Sequence, residues 1–315
     1  MLTSFVCCHA HFHTDWYARW AAALRLPKLP HEDAQGVYLR KAWEYAAIAQ
    51  ALDERGLLSP GRRGVGFAVG REPLASAFAA RGVEVVATDL GVGASDPGWG
   101  ATGQHAASVE AIFKPDIVDR AAFDRHVRFQ PADMRAIAGL APESFDFVWS
   151  SCAMEHLGTL AAGQRFVAEA MKLLKPGGVA VHTTEYNVSS NAGTVGRGGN
   201  VLYRRRDVEA LGDALRLLGG ALHTVDFDAG THQYDIDYDY VPFLEHGRQH
   251  IKLLLDGYVS TSMLLIVTRG QVPPAVALRR PPVGWRLRAL LPAKMRPLLR
   301  WIRRLFTGFT NHHKH

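Results

Sequence analysis

Between Arg63 and about Arg269 short apolar runs rich in β-branched residues alternate with longer segments of helical spacing. That alternation constrains the fold more than any other feature, because it favours a mostly parallel sheet wrapped by helices. The strand candidates are "GVGFAV", "VEVVATDL", "FDFVWSS", "GVAVHTTEY" and "TSMLLIVTR"; the helix candidates are "PLASAFAARG", "AAGQRFVAEAMKLLKPGG" and "RRRDVEALGDALRLLGG". Glycine, serine and polar residues between Gly91 and Phe113, and again from Ser189 to Asn200, predict functional loops. Upstream, Val37, Trp43, Ile48, Leu52 and Leu57 are spaced as in a helix that ends at "SPG". The expected organisation is a helical N-terminal extension over 1–60, an α/β domain over 61–270, and a linker with a basic tail over 271–315.

Charge separates the tail from the body. From Arg279 to His315 there are ten Lys/Arg and no Asp/Glu, which leaves 26 basic against 30 acidic residues elsewhere, a net of −4. The overall +6 is therefore a property of the tail. Leu298, Leu299, Ile302, Leu305 and Phe306 fall on one side of a helix there, opposite Arg300, Arg303 and Arg304, with Trp285 and Trp301 nearby. This pattern predicts a basic amphipathic C-terminal helix and peripheral contact with a membrane surface. Packing of that helix on the main body or on another subunit is the competing reading. A mildly acidic body and the lack of a recognisable nucleic-acid module argue against nucleic acid. No apolar run reaches the roughly 18 residues needed to span a bilayer, and the start lacks the pattern of a signal peptide. Cys7, Cys8 and Cys152 do not make a disulfide framework, so the expected compartment is a reducing cytoplasm.

A ligand at the carboxyl end of a parallel sheet needs a first strand that ends in small residues, a helix that starts there, and an acid closing the second strand. Gly66, Ala68 and Gly70 supply the small residues, Pro73 suits a first helical turn, and Asp89 supplies the acid. Alone, such a turn is weak evidence. It gains weight from "RFQPADMRAI", which carries Asp133, from "ESFDFVWSSCAMEHLGT", and from "LLKPGG" before the next strand. Together, from about Arg63 to Arg206, these segments resemble the class I S-adenosylmethionine-dependent methyltransferases, in particular their small-molecule branch.

The resemblance implies a Rossmann-like fold with a mostly parallel seven-stranded sheet, and S-adenosylmethionine as cofactor. In that family the first strand usually ends acid-apolar-Gly-x-Gly-x-Gly. Counting back from Asp89 places Gly66 at the acid, Ala68 and Gly70 at the first two glycines, and Glu72 at the third. Three of the four positions depart from the pattern. By the same resemblance Asp89 would hold the ribose hydroxyls, Asp133 and Met134 would border the adenine, and Ser150, Ser151 and "MEHLG" would line the catalytic mouth. Glu72 either replaces the missing acid or stabilises the start of the following helix. A dinucleotide enzyme is the weaker competitor, since it would want a glycine near Glu72 and Pro73.

Methyl transfer from a sulfonium needs alignment and, for an alcohol acceptor, a base. His156 is the first candidate, with Glu155 beside it, and Glu185 is the second. Alternation in "HTTEYN" sends His182 and Thr184 to one face and Thr183 and Glu185 to the other. Tyr186, Asn187, Asp237 and Asp239 are the expected acceptor-binding residues, the last two from the Asp/Tyr repeat "YDIDYDY", a pattern suited to hydroxyl-rich ligands. That repeat starts like a calcium loop, but Tyr240 and His246 stand where glycine and glutamate are required. "HAHFH" lacks a completing ligand set, so no metal is expected. The resulting expectation is O-methylation of a sugar or other polyhydroxylated metabolite, including a surface-glycan or lipid-linked precursor. N- or C-methylation, or a non-catalytic cofactor-binding subunit, are the alternatives.

Overall fold

A computed structural model describes residues 1–90, 106, 108–137 and 139–270. The predicted tail and most of the loop after Gly91 lie outside them. In chain order the elements are β1 (Ser4–Val6), a 3-10 turn (His9–His13), α1 (Asp15–Ala23), α2 (Arg40–Asp53), β2 (Arg63–Phe67), α3 (Leu74–Ala79) and β3 (Glu84–Asp89). They continue with α4 (Val109–Ile112), α5 (Arg120–His126), β4 (Val127–Pro131), β5 (Phe145–Ser151), a 3-10 turn (Met154–His156), α6 (Leu160–Met171) and β6 (Leu174–Asn187). The chain closes with α7 (Arg205–Leu217), β7 (Gly220–Leu222), β8 (Val225–Asp226), α8 (Gln233–Ile236), β9 (Leu253–Leu255) and β10 (Tyr258–Arg269).

Among the described residues one sheet holds all ten strands, in the order β4-β3-β2-β5-β6-β10-β1-β8, with β7 and β9 also paired to β10. The pairs from β4 through β6 are parallel, and β10 runs antiparallel to β6 from Ser260↔Asn187 to Thr268↔Val179. The fold is the Rossmann-like arrangement that the resemblance implies. Strand order reverses between β2 and β5, which places the ligand crevice at their carboxyl ends.

The sheet departs from the expected seven strands along the outer edge of β10. Three short strands share that edge: β9 against 258–260, β1 against 263–264 and β7 against 267–269. β9 and β10 form a hairpin whose turn, Asp256 (φ 49) and Gly257 (φ 81), has the two positive φ angles of a type I′ turn. The N-terminal segment is accordingly not a purely helical cap. Ser4, Phe5 and Val6 are all buried, and the Ser4 hydroxyl accepts from Ile266 N at 2.9 Å. Burial of a continuous run selects a strand here.

Apolar side chains pack on both faces. Trp20, Trp43, Ile48, Phe78, Phe147 and Trp149 belong to the core under α1, α2 and α3. Phe67, Phe145, Val148, Phe166, Leu211 and Leu265 fill the core under α6 and α7. α2 lies against β5, β6 and β10 with ten consecutive-to-near residues buried between Ala42 and Leu52, which seats one fully buried carboxylate, Glu44, directly on the sheet.

Candidate active site

The site begins with two glycines that make room for aromatic rings. In the parallel register Gly64 lies beside Phe147 and Gly66 beside Trp149. A Cβ at Gly64 would come within 2.2 Å of the Phe147 ring, and one at Gly66 within 2.2 Å of the Trp149 indole. Real Cβ atoms do not approach rings so closely, so both positions need glycine. The Trp149 indole lying against Gly66 donates its Nε1 hydrogen to Glu72 Oε1 at 2.6 Å. Gly66, Trp149 and Glu72 thus form one unit in which the space left by the missing acid holds an indole that fixes a different acid.

Glu72 is 4% exposed, and burial raises its carboxyl from 4.5 to about 8, against the pull of the Trp149 bond. Glu72 immediately precedes Pro73, the N-cap of α3, and its hydrogen bond goes to Trp149. Its Oε2 makes no hydrogen bond among the described residues. A buried acid with an oxygen to spare, at the turn, fits the cationic amino-acid end of S-adenosylmethionine. Ala68 (φ 49) and Gly70 (φ 51) make the tight turn. Asp89 ties that turn to its surroundings: Oδ2 accepts from Gly70 N (3.1 Å) and Ala106 N (3.0 Å), and Oδ1 from Leu90 N (2.8 Å). The ribose-binding residue of the sequence expectation is here also the clamp on the turn.

The other expected cofactor contacts separate. Met134 is buried in the α6-side core, and Asp133 is engaged by Arg135 through both carboxylate oxygens. That pairing, from outside the core, lowers the Asp133 pKa. Ser150 turns to the α6 face, where its hydroxyl meets His182 Nδ1 at 2.8 Å. Burial takes His182 down to about 3, so it is neutral. Ser151 turns to the α2 face and donates to Glu44 Oε2 at 3.1 Å. Strict alternation along β5 splits the pair, so only one of the two serines faces each side.

Under α2 lies a polar cluster centred on Glu44, which was not among the residues expected at the site. Glu44, with no exposed surface, accepts from Lys41 Nζ (2.7 Å), Ser151 Oγ (3.1 Å), Thr183 Oγ1 (3.4 Å), Cys152 Sγ (3.0 Å) and Ser262 Oγ. Burial opposes its charge, but Lys41 and Arg40 outweigh burial and hold it at about 2. Arg40 also pairs with Glu185, which accepts from Ser260 Oγ at 2.9 Å. Glu185 is 3% exposed and committed to a guanidinium, which corrects its assignment as a catalytic base. The available sequence signal was the Arg40, Lys41, Glu44 triplet inside a helix otherwise rich in alanine and aromatics, where Glu44 falls among buried residues.

His156 stands at the mouth, half-buried, after the carboxyl end of β5. Its Nδ1 lies 2.6 Å from the carbonyl oxygen of Gly199. The loop from Val188 closes here: Val201 N donates to Glu155 O (3.1 Å) and Gly198 N to Gly158 O (3.1 Å).

The expected acceptor-binding residues are spent on structure. Asn187 organises that loop, bonding Ser189, Ser190, Gly193 and Thr194. Tyr186 is buried in the α6-side core against Phe227. Asp239 is fully buried, held by His250 Nδ1 (2.7 Å), Tyr240 N and Leu244 N, and Asp237 is an exposed partner of Arg248 (2.6 Å). The spacing of two had no strand behind it, because α8 occupies 233–236. Loop hydrogen bonds, a core ring contact, His250 and Arg248 engage these side chains. A cavity of about 470 Å³ between α1 and residues 26–32 is lined by none of the site residues.

Residues 65–182, from within β2 to within β6, match the sequence family described as "Methyltransferase domain". The match runs through the turn, Asp89 and the β5 mouth, in the strand order just described. This segment is an S-adenosylmethionine-dependent methyltransferase domain. Its cofactor is S-adenosylmethionine, and the chain is a methyltransferase. Among solved structures the chain is similar to an S-adenosylmethionine-dependent methyltransferase from Mesorhizobium loti, at 18% identity and a TM-score of 0.41, over 70% of this chain and 96% of that one. It is also similar to magnesium protoporphyrin IX methyltransferase from Synechocystis, at 12% identity and a TM-score of 0.44, over 82% and 97% of the two chains. No curated protein sequence matches the chain. Among the described residues of the methyltransferase no helix is long and apolar enough to cross a membrane.

Proposed function

We propose that the methyltransferase acts on a hydroxyl oxygen of a small polyhydroxylated acceptor such as a sugar, with His156 as the general base. The observation that supports this most is the His156–Gly199 contact. A carbonyl oxygen only accepts, so Nδ1 carries the hydrogen, and in the neutral form of the ring the lone pair falls on Nε2. That is the tautomer a base needs. S-adenosylmethionine, when bound, supplies a methyl group on a positively charged sulfur. His156 Nε2 would take the acceptor's proton as its oxygen accepts the methyl group that S-adenosylmethionine would supply, the donor being left as a neutral thioether. Next to Gly199, Asn200 buries its Oδ1 with no partner among the described residues, a position suited to a second acceptor hydroxyl.

His156→Ala is expected to lower kcat by about 10²–10⁴ while leaving cofactor affinity unchanged. Mass spectrometry of sugars and other polyols incubated with isotope-labelled methyl donor reads both product and rate. Full turnover in the variant, or label found on nitrogen, overturns the base assignment and moves the reading to N-methylation.

Three free thiols, Cys7, Cys8 and Cys152, suit a reducing cytoplasm. The basic tail would hold the enzyme at an anionic membrane surface near lipid-linked acceptors. Flotation with anionic liposomes is expected for the full chain and lost on removal of residues 279–315. Equal flotation of both would count against the membrane role.

A further inference from the structure

Cys152 Sγ and one oxygen each of Glu155 and Glu185 lie within 4.8 Å of one another, and all three residues are buried. Glu155 has no exposed surface. Its Oε2 accepts from Thr184 Oγ1 at 3.0 Å, whereas Oε1 is buried with no hydrogen-bond partner among the described residues. An unpaired buried carboxylate oxygen is costly enough to require an explanation. The charges around it point the same way. Three buried carboxylates, Glu44, Glu155 and Glu185, face two cations, Arg40 and Lys41, with the His156 imidazole beside Glu155.

The geometry points to a zinc-class divalent ion bound by Cys152, Glu155 and Glu185. One thiolate and two carboxylates are a donor set for a borderline-soft ion, and three protein ligands leave a fourth position for water. The ion brings the cluster to neutrality. With Cys152 as thiolate there are four negative charges, balanced by Arg40, Lys41 and the 2+ ion. Binding releases the Cys152 proton to solvent, and Glu44, which now accepts from that thiol at 3.0 Å, keeps Lys41, Ser151, Thr183 and Ser262. Arg40 stays on Glu185 as an outer partner of a ligating carboxylate. The "HAHFH" segment, for which no metal was expected, is a separate feature: His9 and His13 bring their Nε2 atoms to 3.1 Å of each other, and none of its histidines belongs to the buried set.

The test uses the full chain, stripped with chelator and titrated with Co²⁺ as the spectroscopic probe. One ion per chain is expected, with a near-ultraviolet thiolate-to-cobalt charge-transfer band that excess Zn²⁺ bleaches. Cys152→Ser should abolish the band. Glu155→Gln, which keeps shape and thiol, should weaken Co²⁺ binding about tenfold or more. The double variant His9→Ala/His13→Ala should leave the band intact. A band that survives Cys152→Ser, an affinity unchanged in Glu155→Gln, or no band in the native chain overturns the site, and these outcomes stand whatever the acceptor proves to be. If Cys152→Ser fails to fold, the Glu155→Gln titration decides alone.

Discussion

Glu44→Ala should be among the most destabilising single changes in the methyltransferase, by about 3 kcal/mol. The deletion removes the acceptor shared by Ser151, Thr183, Cys152 and Ser262, and it leaves Lys41 and Arg40 with one carboxylate fewer. Lys41 is 39% exposed and can turn to water, which keeps the cost at the lower end for a broken buried pair. The sign with pH follows from a folded-state value near 2 against an ordinary 4.5. Glu44 contributes stability that is fully present above about pH 4.5 and is lost as pH falls through about 2, amounting by linkage to about 3 kcal/mol. Urea denaturation at pH 7 and near pH 2 measures both effects. The isosteric Glu44→Gln should lose less at pH 7 and show a smaller drop on acidification. A Glu44→Ala chain as stable as the native one would mean that the polar cluster under α2 is incidental.

The second large effect concerns the position where the family carries an acid. Gly66→Asp restores the usual residue on paper, yet it is expected to cost at least about 3 kcal/mol and to abolish cofactor binding. Its Cβ would sit 2.2 Å from the indole, and its carboxylate would be buried beside Glu72. Displacing Trp149 also removes the donor that holds Glu72. A double-mutant cycle separates the two causes. In a Trp149→Ala background the added side chain has room, so Gly66→Asp should cost markedly less there than in the native chain. Additive costs would show that the indole does not exclude the acid.

The parallel half of the sheet was legible because its strands are continuous buried runs: "VEVVATDL", "FDFVWSS" and "GVAVHTTEY" became β3, β5 and β6 within a few residues. The alternation predicted for Thr183 and Glu185 against His182 and Thr184 also holds, with the first pair toward α2. β1 was not legible, because three residues carry no periodicity and their burial depends on an edge of β10 some 260 positions away. The polar cluster was hidden for a related reason. Arg40, Lys41 and Glu44 look like the wet face of a helix until the strands of β6 and β10 cover it. Asp237 and Asp239 misled in the opposite direction, since acids at spacing two serve equally well as acceptors for their own backbone and for His250. The departure at Gly66 was visible in the sequence, but its cause was not. It required the register that sets Gly66 against Trp149.

Calorimetric titration of the full chain with S-adenosylmethionine tests most directly the central claim that Glu72, positioned by Trp149, takes the place of the missing acid. With its carboxyl near 8, Glu72 is mostly protonated at pH 7, and a cationic group seated against it favours the ionised form. The native chain should therefore bind one cofactor and release protons as it does so, with an apparent heat that changes with the ionisation heat of the buffer. Glu72→Gln should bind at least about tenfold more weakly, with the proton release gone. No binding by the native chain, or a Glu72→Gln chain with native affinity and native proton release, would contradict the account.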